Sequence, residues 1–136
     1  MRYLKKLMTT GAIILFFLFQ SVNVNSQVLY FCDAVSKDGK PINELSAFTL
    51  TSDSGIVYFL VNLTGEVNTT EIHYTLYSLD DSNNENYETA IYQDVDKTWM
   101  WFWKPITFLK PGKYKIYVYT KEGNVLTSNT LKVVKN

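Results

Sequence analysis

Leu109-Lys110-Pro111-Gly112-Lys113-Tyr114-Lys115-Ile116-Tyr117-Val118-Tyr119 is the stretch whose pattern decides the fold. Pro111-Gly112 punctuates the chain, and from Tyr114 onward the residues are mostly aromatic or β-branched. Side chains along a strand alternate between two faces, so Ile116 and Val118 are expected inside. Lys115, Tyr117, Tyr119 and Lys121 are then outside. Glu122-Gly123-Asn124 supplies turn residues that tolerate positive φ and leads into a last strand within 125–134.

The same signature extends toward the N-terminus. Short runs rich in Val, Ile, Thr, Tyr, Phe and Trp are expected to be strands over 28–35, 45–51, 56–63, 70–79, 87–95 and 99–108. Asp38-Gly39, Ser52-Asp53-Ser54-Gly55 and the polar run Asp80 to Asn86 separate them. Within 70–79 the alternation sets Ile72, Tyr74 and Leu76 against His73, Thr75 and Tyr77. Pro105 lacks an amide hydrogen and forces a bulge or an edge position on its strand. Seven or eight short strands at roughly 8–12-residue spacing predict an all-β protein, a single antiparallel β-sandwich over 27–136. There is no internal repeat, no Pro- or Ser-rich linker and no second domain in this pattern.

Pro111-Gly112-Lys113-Tyr114, running into alternating apolar residues, resembles the start of the penultimate strand in fibronectin type III and other immunoglobulin-like sandwiches. The layout also resembles small exported bacterial modules of this type. The resemblance implies that Tyr114 forms a tyrosine corner, its hydroxyl bonding back to backbone near the preceding turn. It also implies that the 70–79 strand lies beside 114–121, which brings His73, Thr75 and Tyr77 onto the outer face of Tyr117 and Tyr119. It implies nothing about activity, and the inter-sheet cysteine pair of antibody domains is absent.

The first 26 residues read as an address rather than as part of the fold. Arg2, Lys5 and Lys6 form a basic start, Leu7 to Phe19 is apolar apart from Thr9-Thr10 and Gly11, and a polar stretch follows. This is the order of a secretory signal peptide, read as an N-terminal helix with cleavage between Ser26 and Gln27. The apolar run is shorter than the roughly 20 residues that span a bilayer, so no stable membrane anchor is expected. The destination is secreted or periplasmic, in the cell envelope.

Three of the 13 basic residues lie in that start, which leaves 10 lysines, no arginine and 13 acids beyond it. A mildly acidic body without forked arginine donors argues against nucleic acid as a partner. One Cys and one His cannot build the common zinc sites, and Cys32, between Phe31 and Asp33, reads as a buried thiol. His73 is the one imidazole available to a nucleophile and sits mid-strand, where a solvent-facing or hydrogen-bonded role is expected. Asp94 and Asp96 form an acid pair, and Asp80 to Asn86 is oxygen-rich but lacks the glycine of a calcium loop. No catalytic residue, metal or cofactor is expected.

Aromatic residues carry the functional expectation. In Trp99-Met100-Trp101-Phe102-Trp103 an extended strand would put the three indoles on one face and Met100 and Phe102 on the other. Pro105 leaves the register open. The indoles are expected to fill the core; the other placement is an outer platform on which a protein partner or a sugar ring could stack. Tyr77, Tyr117 and Tyr119 form a second candidate patch. The chain is thus read as an exported, non-enzymatic module that contacts a protein partner or further copies of itself. Its alternative is a carbohydrate-binding module.

Overall fold

The computed structural model describes residues 27–136; the expected signal helix and cleavage site, at 1–26, lie outside the described residues. Among the described residues there are nine strands and no helix. They are β1 (Val28–Val35), β2 (Pro41–Glu44), β3 (Ala47–Leu50), β4 (Gly55–Asn62), β5 (Glu71–Leu79), β6 (Glu85–Asp94), β7 (Trp101–Phe108), β8 (Gly112–Thr120) and β9 (Val125–Lys135).

Two sheets pack face to face, one ordered β2-β1-β4-β7 and the other β3-β9-β8-β5-β6. The inner rows are the alternating apolar residues. Leu29 and Phe31 of β1, Val57, Phe59 and Val61 of β4, and Phe102, Ile106 and Phe108 of β7 face Ile72, Tyr74 and Leu76 of β5 and Ile116 and Val118 of β8. Phe59 lies at the centre, with edge-on or tilted contacts to Phe31, Tyr74 and Phe108 at ring separations of 5.1, 5.9 and 6.1 Å. Such aromatic pairs add to the gain from removing apolar area from water.

Two expectations are corrected. The sandwich has nine strands rather than seven or eight, because Pro41–Glu44 pairs with β1 through Cys32↔Glu44 and Ala34↔Ile42. That segment is short, polar and exposed, and Asn43 has φ 55°, so it shows no apolar alternation to read. Nor is the pairing wholly antiparallel: β3 runs parallel to β9, from Ala47↔Lys132 to Leu50↔Lys135. Only Leu45 and Ser46 separate β2 from β3. The chain therefore crosses to the other sheet instead of making a hairpin, and Leu50 arrives in the core.

Elsewhere the pattern holds. Pro105 sits on β7, the edge of its sheet, and the β4–β7 register runs unbroken from Gly55↔Phe108 to Asn62↔Trp101. The edge position therefore accommodates Pro105 without a bulge. The β5–β8 pairing places Thr75 beside Tyr117 and His73 beside Tyr119. The Tyr114 hydroxyl donates to the Lys110 carbonyl at 2.9 Å, closing the corner that Pro111-Gly112 opens.

Candidate functional site

The indole cluster is not in the core. Register decides this: β4 points Val57, Phe59 and Val61 inward, and Val61↔Phe102 and Val57↔Ile106 carry that face onto β7. Phe102 is buried, so Trp101 and Trp103 project from the outer face, Trp101 half-buried and Trp103 42% exposed. Trp99 does not share their strand. Asp96, Lys97 and Thr98 turn the chain just before it, and β7 begins only at Trp101. Trp99 and Met100 are left 44% and 50% exposed, so Met100 is not on the buried face of Phe102.

The three indoles nevertheless line one open cleft of about 680 Å³, together with Met100, Gln93 and Thr98. It lies where β7, the edge of one sheet, meets β6, the edge of the other. Gln93 holds the two edges together: its Nε2 donates to the Trp103 carbonyl at 2.8 Å, and its Oε1 accepts from the buried Tyr74 hydroxyl at 2.6 Å. That carbonyl therefore points away from β4, which puts the nitrogen of Pro105 on the open side by strand alternation. Thr98 is also engaged, its Oγ1 donating to Asp96 at 2.7 Å. The hydrogen bonds from Thr98 hold the Asp96 carboxyl below its usual range.

Part of that outer face is covered, although Ile56 is exposed. Leu60 and Cys32 have the parity opposite to the core yet are fully buried. The β1–β2 turn comes over this side far enough for buried Gly39, at φ +78°, to rest on the Trp101 indole. A methyl group at Gly39 would lie under 3.0 Å from the ring. Burial pushes the Cys32 thiol up, and its Sγ contacts the Tyr58 carbonyl at 3.6 Å.

The outer face of the five-stranded sheet is open. Tyr77 packs edge-on against Tyr117 at 5.6 Å and against Tyr87 at 6.0 Å, and Tyr117 leans on Tyr119 at 6.1 Å. The Tyr117 hydroxyl donates to Glu85 at 3.0 Å, which raises that phenol above its ordinary range. His73 bonds Glu71 at 2.6 Å and lies 4.3 Å from the ring of Tyr92. Tyr87 and Tyr92 belong to this patch although sequence reading missed both. They are an odd number of residues apart, and only the register shift opposite Leu76/Tyr77 brings them onto one face. No sequence signal marks that bulge.

The acids contribute no assembled centre. Asp94 ends β6, Asp96 caps the following turn, and Asp80 Oδ1 accepts from the amides of Ser82 and Asn84. Among the described residues no group of three His, Cys, Asp or Glu is placed to hold a metal.

The strand order and the Tyr114 corner are those of one architecture. The sandwich is immunoglobulin-like. Among solved structures, an immunoglobulin-like protein from Pseudomonas aeruginosa aligns over 82% of this chain and 98% of its own, at 6% identity and a TM-score of 0.44. A superoxide reductase (neelaredoxin) from Ignicoccus hospitalis aligns over 80% of each chain, at 10% identity and a TM-score of 0.42. No family model and no curated protein matches the sequence.

Proposed function

We propose that this chain is an exported, non-enzymatic binding module that holds a protein partner in the cleft of Trp99, Met100, Trp101 and Trp103. Export rests on the basic-apolar-polar order of residues 1–26. The observation that supports the binding role is the cleft itself, three indoles and a methionine gathered at an open sheet edge. Large, half-buried aromatic side chains are the groups that dominate protein–protein contacts.

A protein fits this cleft better than a sugar does. Sugars need stacking together with several free, directional polar groups. Here the amide of Gln93 is engaged at both ends and the Thr98 hydroxyl already donates to Asp96. What the cleft offers is apolar area, which suits an apolar protein side chain.

The test is retention of envelope-extract proteins on the immobilised wild type and on Trp99→Ala and Trp103→Ala, with unfolding midpoints measured alongside. A saturable partner held by the wild type, and lost by both variants at unchanged midpoint, supports the reading. Trp-dependent retention of soluble glycans instead would move the assignment to a carbohydrate-binding module. If neither material is held in a Trp-dependent way, the cleft is not a binding site.

A further inference from the structure

We propose that the outer face of the five-stranded sheet is a self-complementary surface through which two copies of this chain pair. This goes beyond the indole cleft and uses a different side of the molecule. The registers fix how charge is laid out on the face. One transverse row reads Lys132 on β9, Lys113 on β8, Leu79 on β5 and Glu85 on β6. At the other end, Asp94 of β6 lies beside Glu71 of β5, whose carbonyl accepts the Lys121 amide. Acids thus occupy the β5–β6 flank and lysines the β8–β9 flank, with the tyrosines between them.

Such a layout matches its own mirror flank. A symmetric dimer presents the same patch from both sides, so each flank must attract the opposite flank of the second copy. A twofold axis along the strands between β5 and β8 lays β6 over β9 of the partner. Glu85 then faces Lys132 of the partner subunit, Glu71 faces the partner's Lys121, and the tyrosine stripes meet in the middle. No described lysine of this face pairs with an acid within the chain, while Glu71 bonds His73 and Glu85 accepts from Tyr117. Among the described residues only His73–Glu71 and Lys135–Asp53 form ion pairs within the chain. Lys113 and Lys121 reach only the neutral oxygens of Asn83 and Thr70.

The area is modest for a stable pair. Four strands of at least nine residues, at about 3.4 Å per residue and each about 4.8 Å wide, give a face of roughly 600 Å² before side-chain relief. Stable pairs bury about 800 Å² per partner. The centre is aromatic and the margins charged, which is the usual anatomy of a specific interface.

The experiment is sedimentation velocity on the purified protein from low micromolar to millimolar concentration, for the wild type, Glu85→Lys, Lys132→Glu and an equimolar mixture of the two variants. The wild type is expected to dimerise. Each variant alone sets like charges opposite at two symmetric positions and weakens the dimer roughly tenfold or more. In the mixture every such pair is again opposite in sign, so the dimer returns to wild-type strength. That recovery also shows both variants to be folded. A wild type that stays monomeric throughout, or a dimer indifferent to either reversal, or a mixture no stronger than its components, overturns the proposal. Retention on the indole cleft reads separately, because Trp103→Ala leaves this face intact.

Discussion

The two outer faces of the sandwich begin from the same rule and end differently. On both sheets strand alternation sends every second side chain away from the core. On the four-stranded sheet the outer residues Leu60 and Cys32 are nonetheless fully buried, beneath a face over which the β1–β2 turn reaches to Trp101. On the five-stranded sheet the corresponding positions are half-buried or exposed tyrosines, threonine and lysines. A sheet face is dry or wet according to what chain lies over it, and a turn in another part of the sequence supplies that cover. The first face is therefore dry at Leu60 and Cys32 and open at Ile56 and the indole cleft. The second face is half-buried or exposed along its length.

Matched substitutions test this contrast most severely. Leu60→Ala is expected to cost about 3 kcal/mol, as for a core leucine, although its parity is outward. Tyr77→Ala on the open face should cost about 1 kcal/mol, the worth of its edge-on ring contacts. Urea unfolding compares the two directly, and equal costs would erase the difference between the faces. The cover itself is broken by Gly39→Ala. That position combines a left-handed φ with the Trp101 ring, so about 2 kcal/mol is expected together with a red shift and faster iodide quenching of tryptophan emission.

Tyr74 sharpens the boundary between dry and wet. Burial raises its phenol far above the ordinary range, so the unfolded chain loses this proton first as pH rises. The stability linked to Tyr74 is fully present below about pH 10 and declines above it, by up to about 1.4 kcal/mol per pH unit. Urea titrations across alkaline pH should show that decline in the wild type and a shallower one in Tyr74→Phe. The Tyr117 phenol, raised chiefly by its hydrogen bond to Glu85 on the open face, should change the curve less than Tyr74 does when replaced by Phe. The last substitution is Tyr114→Phe. It removes one hydrogen bond to the Lys110 carbonyl and should lower stability by about 1 kcal/mol with the ring packing retained.

Legibility in the sequence followed the size of the local signal. The strands around Ile116 and Val118, the outward set of Lys115, Tyr117 and Tyr119, and the Tyr114 corner were all readable. In each case one residue type repeats at period two beside a Pro-Gly or Gly-Asn turn. Pro41–Glu44 was not readable, because an exposed edge strand needs no apolar residue and this one has a left-handed Asn43 within it. The indole run was read the wrong way round. Trp101 and Trp103 do alternate with Phe102, but the choice of inner face was made by β4 through its pairing with β7. Tyr87 and Tyr92 escaped notice because a bulge changes parity between them.

By itself the sequence determined the class of fold, the positions of most strands and which residues share a face, since these follow from local alternation and turn chemistry. Only the tertiary structure decided which face of β7 is inside, which outer face is covered and how acids and lysines are sorted to opposite flanks. Those outcomes depend on register and on contacts between residues far apart in the chain. Period-two patterns label two faces of a strand but do not say which of them will meet water.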